Sequence, residues 1–214
     1  MCYIMVTSKC QMRCPHCLFS CSSRGRHMPM DIFRKAVAAA IDYDSPMTIG
    51  GGEPTLHPDL LSMLGIASLV SEEPLFMVTN GTCPEALWRI LMQAQDKGSV
   101  SVRVSSDFWH DLSILKPWVC RDADRLKLWW GEPSDGRRTL VRMGRAKRNW
   151  ARLMRDCELS GINVQVEEAS CTARVSPDGR VWSDVPGCGP VGTIDDPGAL
   201  GRAFEAISKY GERL

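Results

Sequence analysis

The 214-residue sequence predicts an α/β fold: a partial (β/α)6 TIM-like barrel, open and curved, with a small C-terminal β-hairpin/helix extension. Three observations carry this expectation. Short runs rich in Val, Ile or Leu alternate with longer stretches of helical period, the pattern of parallel strands joined by helical crossovers. The strand-helix units number six at most, too few to close an eight-fold barrel but enough for an open one. After about Leu159 the alternation stops, so the barrel is expected to occupy residues 1–159 and the extension 160–214.

Taken in order, strands are expected near residues 2–7, 47–50, 75–79, 99–105, 126–130 and 140–143. Helices are expected near 29–43, 58–70, 84–97, 112–122 and 145–159, several opened by Pro or an acidic residue as helix starts prefer. Beyond them, 162–167 has strand character, and 173–182 has the pattern of a hairpin turning on Pro177-Asp178-Gly179. A Pro/Gly-rich stretch over 186–197 leads to a final helix near 199–209, where Leu200, Phe204 and Ile207 fall at helical spacing. The sequence contains no internal repeat and no low-complexity segment.

Composition narrows the function. With 44% apolar and 24% charged residues the chain can bury a real core. No run approaches the ~20 apolar residues of a membrane span, and the N-terminus lacks the basic start and apolar stretch of a signal peptide. A cytoplasmic protein without a membrane partner is therefore expected. Four of the ten cysteines crowd between Cys10 and Cys21, which in that compartment favours metal ligation over disulfides. A net charge of +1 excludes a general attraction for polyanions. The exception is local: eight basic residues and no acid lie from Arg137 to Arg155, either a solvated face or a site for a phosphate-bearing substrate.

Cys10-x3-Cys14-x2-Cys17 follows the first strand directly, where barrel folds place catalytic loops. Thiolates are soft donors that hold Fe–S clusters, and three of them can hold three irons of a cubane while the fourth iron stays open to a ligand. Zinc is the other reading of these cysteines, with His16 or Cys21 completing four ligands. A second motif, Ile49-Gly-Gly-Gly-Glu-Pro-Thr-Leu-His57, follows the second strand; its consecutive glycines let backbone come close to a ligand without Cβ clashes. It lacks the Gly-x-Gly-x-x-Gly dinucleotide fingerprint, because Thr55 stands where the last Gly is needed.

Together, Lys9-Cys-Gln-Met-Arg-Cys-Pro-His-Cys-Leu18 and Gly51-Gly52-Glu53-Pro54 resemble the two signatures of the radical S-adenosylmethionine (SAM) superfamily, in the same order and on consecutive strand ends. The resemblance implies a [4Fe–4S] cluster on Cys10, Cys14 and Cys17, with SAM chelating the open iron. It implies that Gly51, Gly52 and Glu53 meet the methionyl amino group and that the backbone at His16, where the family usually has a larger aromatic, approaches the adenine. Asn80, Ser105 and Arg145, at later strand ends, are the positions that meet the rest of SAM in relatives. Asn80 also suits a turn before Gly81, and Ser105 a strand-end hydrogen bond. The implied activity is reductive SAM cleavage to a 5′-deoxyadenosyl radical, with flavodoxin or ferredoxin as reductant.

Cys171-x7-Gly179-x4-Asp184 resembles the opening of the SPASM or twitch extension, except that the motif ends in Cys where this chain has Asp184. A second Fe–S cluster on Cys157, Cys171, Cys188 and Asp184 is one expectation; an extension that has lost its cluster and keeps the hairpin as a substrate lid is the other. The extension favours a peptide or amino-acid substrate. The basic run favours a nucleotide or nucleic-acid base instead; Trp129-Trp130 before it suits core packing at a strand end or, alternatively, a stacking platform for a base. The first strand begins at Cys2, so no leader-recognition module precedes it in this sequence, which also counts toward the nucleotide reading. A third reading is a non-catalytic Fe–S scaffold, for which Glu53 and the glycine turn would have no use.

Overall fold

The computed structural model describes residues 1–105, 115–122, 138–141, 143–160, 164–167, 172–185 and 188–212. Its first half follows the expected alternation closely: β1 (Cys2–Thr7), α1 (Met30–Asp42), β2 (Met47–Gly51), a 3-10 turn (Pro54–Leu56), α2 (Leu60–Val70), β3 (Leu75–Thr79), α3 (Glu85–Asp96) and β4 (Val100–Val104). The sequence dictates the inward faces of the helices. In α1, Phe33, Ala36, Val37 and Ala40 recur at helical spacing and are buried, and in α2 Leu60, Met63, Leu64 and Ala67 do the same. Pro29 and Pro84 stand just before α1 and α3, and each of those helices carries an acidic residue in its first turn.

The second half departs from the expectation in detail. The fifth strand expected at 126–130, with Trp129-Trp130, lies outside the described residues, as does most of the helix expected at 112–122, of which α4 (Pro117–Arg121) is the described part. β5 (Arg138–Val141) pairs in parallel with β6 (Val164–Glu167). The single helix expected over 145–159 is two, α5 (Gly144–Arg148) and α6 (Trp150–Leu159), broken at Asn149 (φ −99°, ψ 11°). The hairpin forms at its expected place, β7 (Ala173–Val175) against β8 (Arg180–Ser183), with Gly179 at φ 78° in the turn. β9 (Pro190–Thr193) emerges from the Pro/Gly-rich stretch, and α7 (Ala199–Gly211) closes the chain.

One seven-stranded sheet, in the order β4-β3-β2-β1-β7-β8-β9, unites both halves. The strands from β4 to β7 are parallel to their neighbours, while β8 and β9 run antiparallel. The hairpin thus continues the main sheet, with Cys2, Tyr3 and Ile4 of β1 in register with Ala173, Arg174 and Val175 of β7. That pairing fixes the two faces. Cys2, Ile4, Ile49, Met77, Val102, Val175 and Val181 are buried in the main core beneath the helices. Tyr3, Met5, Arg174 and Trp182, offset by one residue, point to the opposite face, where the segment after β1 folds over them. Among the described residues no helix is long and apolar enough to cross a membrane.

Candidate active site

The segment after β1 is a loop with a pinned neck. Ser8 N–H donates to Arg26 O (2.9 Å), Cys10 N–H to Ser22 O (3.0 Å), Ser22 N–H to Ser8 O (3.2 Å) and Met28 N–H to Val6 O (2.8 Å). Residues 10–21 therefore project as one compact unit carrying four thiols. Cys10 and Cys21 are buried with Met5 beneath Tyr3, Met12, Cys17 and Phe19, while Cys14 and Cys17 are half-buried. A hydrogen bond from the Cys21 thiol, further ones from the Cys21 and Phe19 backbone and the nearby Arg145 charge lower the Cys17 thiol to about 5, against the cost of burial. The shift is toward the thiolate, the form that binds metal. The same contact and burial push the Cys21 thiol up, and burial raises Cys10 to about 11.

The glycine motif docks onto this loop. Gly52 N–H donates to Thr7 O (2.7 Å) and Glu53 N–H to Lys9 O (2.8 Å). A Cβ on Gly52 would stand 2.0 Å from Lys9 O, and Gly51 sits at φ 123° with its Cβ position 2.2 Å from Thr7 O. The close approach these glycines permit in the fold is to the backbone that carries the first cysteine. Glu53 is fully buried. Its Oε1 accepts from Thr55 N–H (3.1 Å), Thr55 Oγ1 (2.6 Å) and Thr79 Oγ1 (2.7 Å), and its Oε2 accepts from Asn80 N–H (2.7 Å). Burial pushes its carboxyl pKa up while these four donors pull the other way. The side chain expected to meet an ammonium is thus a brace between the ends of β2 and β3.

Asn80 extends the brace to the cysteines. Its Nδ2 donates to Cys10 Sγ at 3.9 Å, and its Oδ1 accepts from Thr82 N–H (3.1 Å), Thr82 Oγ1 (2.7 Å) and Gln11 Nε2 (3.4 Å). Ser105, half-buried at the end of β4, donates its N–H to Thr79 O (2.8 Å). His16 is half-buried at the tip of the loop.

Arg145 approaches the loop from α5. Its N–H donates to Cys17 O (2.9 Å), its Nη1 to Cys14 O (2.9 Å) and its Nη2 to Cys21 O. Arg148 Nη2 reaches Ser20 Oγ (3.0 Å) and Asn149 Nδ2 reaches Pro15 O (3.0 Å). Part of the basic run is therefore a clamp on the carbonyls of the cysteine loop; sequence reasoning missed Asn149, and only its place beside Arg145 could have drawn attention to it. Gly144 makes the contact feasible: it lies at φ 51°, and a Cβ there would sit 1.9 Å from Leu18 O. Gly144→Ala is expected to lift the clamp and lower iron retained after anaerobic reconstitution by about ten-fold or more, read as iron per chain, with near-parental far-UV circular dichroism.

The C-terminal cysteines present a different picture. Cys157 is buried in α6 against Ala146, Leu153 and Trp150, Cys188 is exposed, and Cys171 lies outside the described residues. Asp184 holds Arg174 in a bidentate ion pair, with Nε at 2.9 and 3.1 Å and Nη2 at 2.8 Å from its oxygens. Among the described residues no group of three or more His, Cys, Asp or Glu side chains is placed to hold a single metal ion.

The radical SAM superfamily model matches residues 4–127, more than half of the chain, and the chain belongs to that family. It is an α/β partial barrel and a radical SAM enzyme. Among solved structures, BtrN in complex with AdoMet and 2-DOIA matches at 16% identity and TM-score 0.59, over 100% of this chain and 86% of BtrN. SuiB of Streptococcus suis bound to S-adenosylmethionine matches at 18% identity and TM-score 0.45, over 99% of this chain and 47% of SuiB. No curated protein matches the chain. The family implies a [4Fe–4S] cluster and SAM. The donor set fits that cluster: three thiols on one pinned loop, one of them acidic, with an amide donor directed at the Cys10 sulfur.

Proposed function

We propose that Cys10, Cys14 and Cys17 each bind one iron of a [4Fe–4S] cluster, that SAM takes the remaining iron, and that the enzyme abstracts hydrogen from a peptide or amino-acid side chain. The observation that carries the first part is convergence. The ends of β1, β2, β3 and β4 are joined to one another by hydrogen bonds through Thr7, Gly52, Glu53, Thr79, Asn80 and Ser105, and that network closes on the loop bearing the three thiols. Held by those thiols, the cluster would supply the one electron for reductive SAM cleavage, which in turn would provide the hydrogen-abstracting group.

The chain's own residues hold and orient these groups. The Gly51-Gly52 backbone and Glu53 take the methionyl end of SAM, with the Glu53 carboxylate fixing the turn. Asn80 and Ser105 would meet the ribose and carboxylate of SAM, and the His16 backbone the adenine. Arg145 acts through the carbonyls of the cysteine loop. Flavodoxin or ferredoxin serves as reductant, and residues 160–214 form an extension of SPASM or twitch ancestry without a second cluster.

A peptide substrate is supported by the hairpin of that extension lying beside β1. A substrate like the 2-DOIA of BtrN is the second reading, supported by a match over 100% of this chain. The nucleotide reading loses support because Arg145 and Arg148 face the cysteine loop. The test is anaerobic reconstitution, then dithionite, SAM and short synthetic peptides encoded beside the gene. Peptide-dependent 5′-deoxyadenosine about ten-fold above the peptide-free rate, with a mass change in the peptide, supports the proposal. Stimulation by 2-DOIA or by mononucleotides, and by no peptide, overturns its substrate half.

A further inference from the structure

On the face of the sheet that meets the cysteine loop, Tyr3 of β1, Arg174 of β7 and Trp182 of β8 stand side by side in register, and Asp184 follows two residues after Trp182. The Arg174 and Asp184 side chains are only 10% and 1% exposed, so a charged pair is enclosed at the point where the hairpin joins the barrel. The guanidinium lies 4.8 Å from the Trp182 ring centroid and 5.0 Å from that of Phe19. Phe19, two residues beyond Cys17, also packs against Tyr3 with centroids 5.3 Å apart. Tyr3 in turn accepts a hydrogen bond from Gly51 N–H at 2.8 Å.

We propose that the Arg174–Asp184 pair is a positioning element for the cluster: it fixes Phe19, and through Phe19 and Tyr3 it sets the cysteine loop and the glycine turn relative to each other. This inference rests on the proposed reading of Cys17 as a cluster ligand. The bidentate contact does what a single hydrogen bond could not, since two parallel donors fix the plane of the guanidinium as well as its position. A planar cation sandwiched between rings then constrains where Phe19 can rest. Lysine would keep the charge and lose the plane. A buried ion pair is weak as a source of net stability, because desolvation offsets its attraction. Its place under the cysteine loop is where geometry counts most.

The test compares the parent with Arg174→Met/Asp184→Leu, which removes both charges and leaves neither stranded, with Arg174→Lys, and with Phe19→Leu, which keeps the pair. Each is reconstituted anaerobically and examined for iron content, the EPR spectrum of the reduced cluster with and without SAM, and 5′-deoxyadenosine formation. The expected result is a loaded cluster whose SAM-dependent EPR shift is altered, with SAM cleavage lowered about ten-fold or more in all three variants. Should the double variant fail to fold, Phe19→Leu and Arg174→Lys read the same two signals. Parental spectra and cleavage in the folded variants, with a lower melting temperature alone, would overturn the inference and leave the pair a structural tie of the hairpin. A parent that takes up no cluster would instead overturn the reading of the cysteines on which it rests.

Discussion

Replacing Cys10, Cys14 or Cys17 by Ala is expected to abolish reductive SAM cleavage, with 5′-deoxyadenosine falling to the level of a protein-free control. The three positions are not equivalent in the fold, yet the outcome is shared. Cys10 is buried and receives the Asn80 amide, Cys17 has its thiol pKa lowered, and Cys14 is half-buried with its carbonyl held by Arg145. Loss of any one thiolate leaves two anchors for a cubane that needs three, and an iron that should be closed becomes open.

Cys21 supplies the informative control. It lies against Cys17 and is buried in the same cluster of side chains. On the zinc reading it or His16 would be the fourth ligand. Cys21→Ala is expected to keep about four irons per chain with SAM cleavage retained. Loss of all metal on that change alone would point to a four-thiolate site and sink the cluster reading. Cys157→Ser and Cys188→Ser should leave iron content unchanged, since Cys157 packs among apolar side chains and Cys188 is exposed.

Much of this site was legible in the sequence because its chemistry is local. The cysteine spacing lies within eight residues, and the glycine motif sits on the next strand end, so order along the chain already implies proximity in a parallel sheet. The roles were harder to see. The glycines suggested close approach to a ligand, whereas the approach the fold displays is to Thr7 and Lys9, and no local pattern announces which neighbour a glycine accommodates. Arg145 was singled out as a cofactor position, but its hold on the carbonyls of the cysteine loop was not visible, because charge density along a chain does not reveal which guanidiniums bend inward. The place of the Arg174–Asp184 pair was least legible: the hairpin register brings the two side chains together, but their position under the cysteine loop depends on β7 pairing with β1 across some 170 residues of chain, a register no local signal specifies. Asp184 in place of a cysteine was visible, but its partner was not.

Glu53→Gln should be far from conservative. The carboxylate accepts four hydrogen bonds, and one donor on each oxygen is a backbone amide that can only donate: Thr55 N–H on Oε1 and Asn80 N–H on Oε2. A glutamine must set its NH2 against at least one of them, either Asn80 N–H on one side or the three donors on the other. Each buried donor left without an acceptor costs about 1–3 kcal/mol, so the unfolding free energy is expected to fall by that amount, read as a lower urea midpoint with an unchanged slope. The damage should not stop at stability. Asn80 is held by that bond and itself contacts Cys10 Sγ, so the strand end is expected to shift beneath Cys10, the first of the proposed ligands. Thr55→Val, which removes one hydroxyl donor and leaves the Asn80 contact intact, should cost only about 1 kcal/mol and spare SAM cleavage. Equal effects of the two substitutions on cleavage would show that the carboxylate acts on stability alone, whereas a large loss confined to Glu53→Gln would identify it as the link between the glycine turn and the cluster.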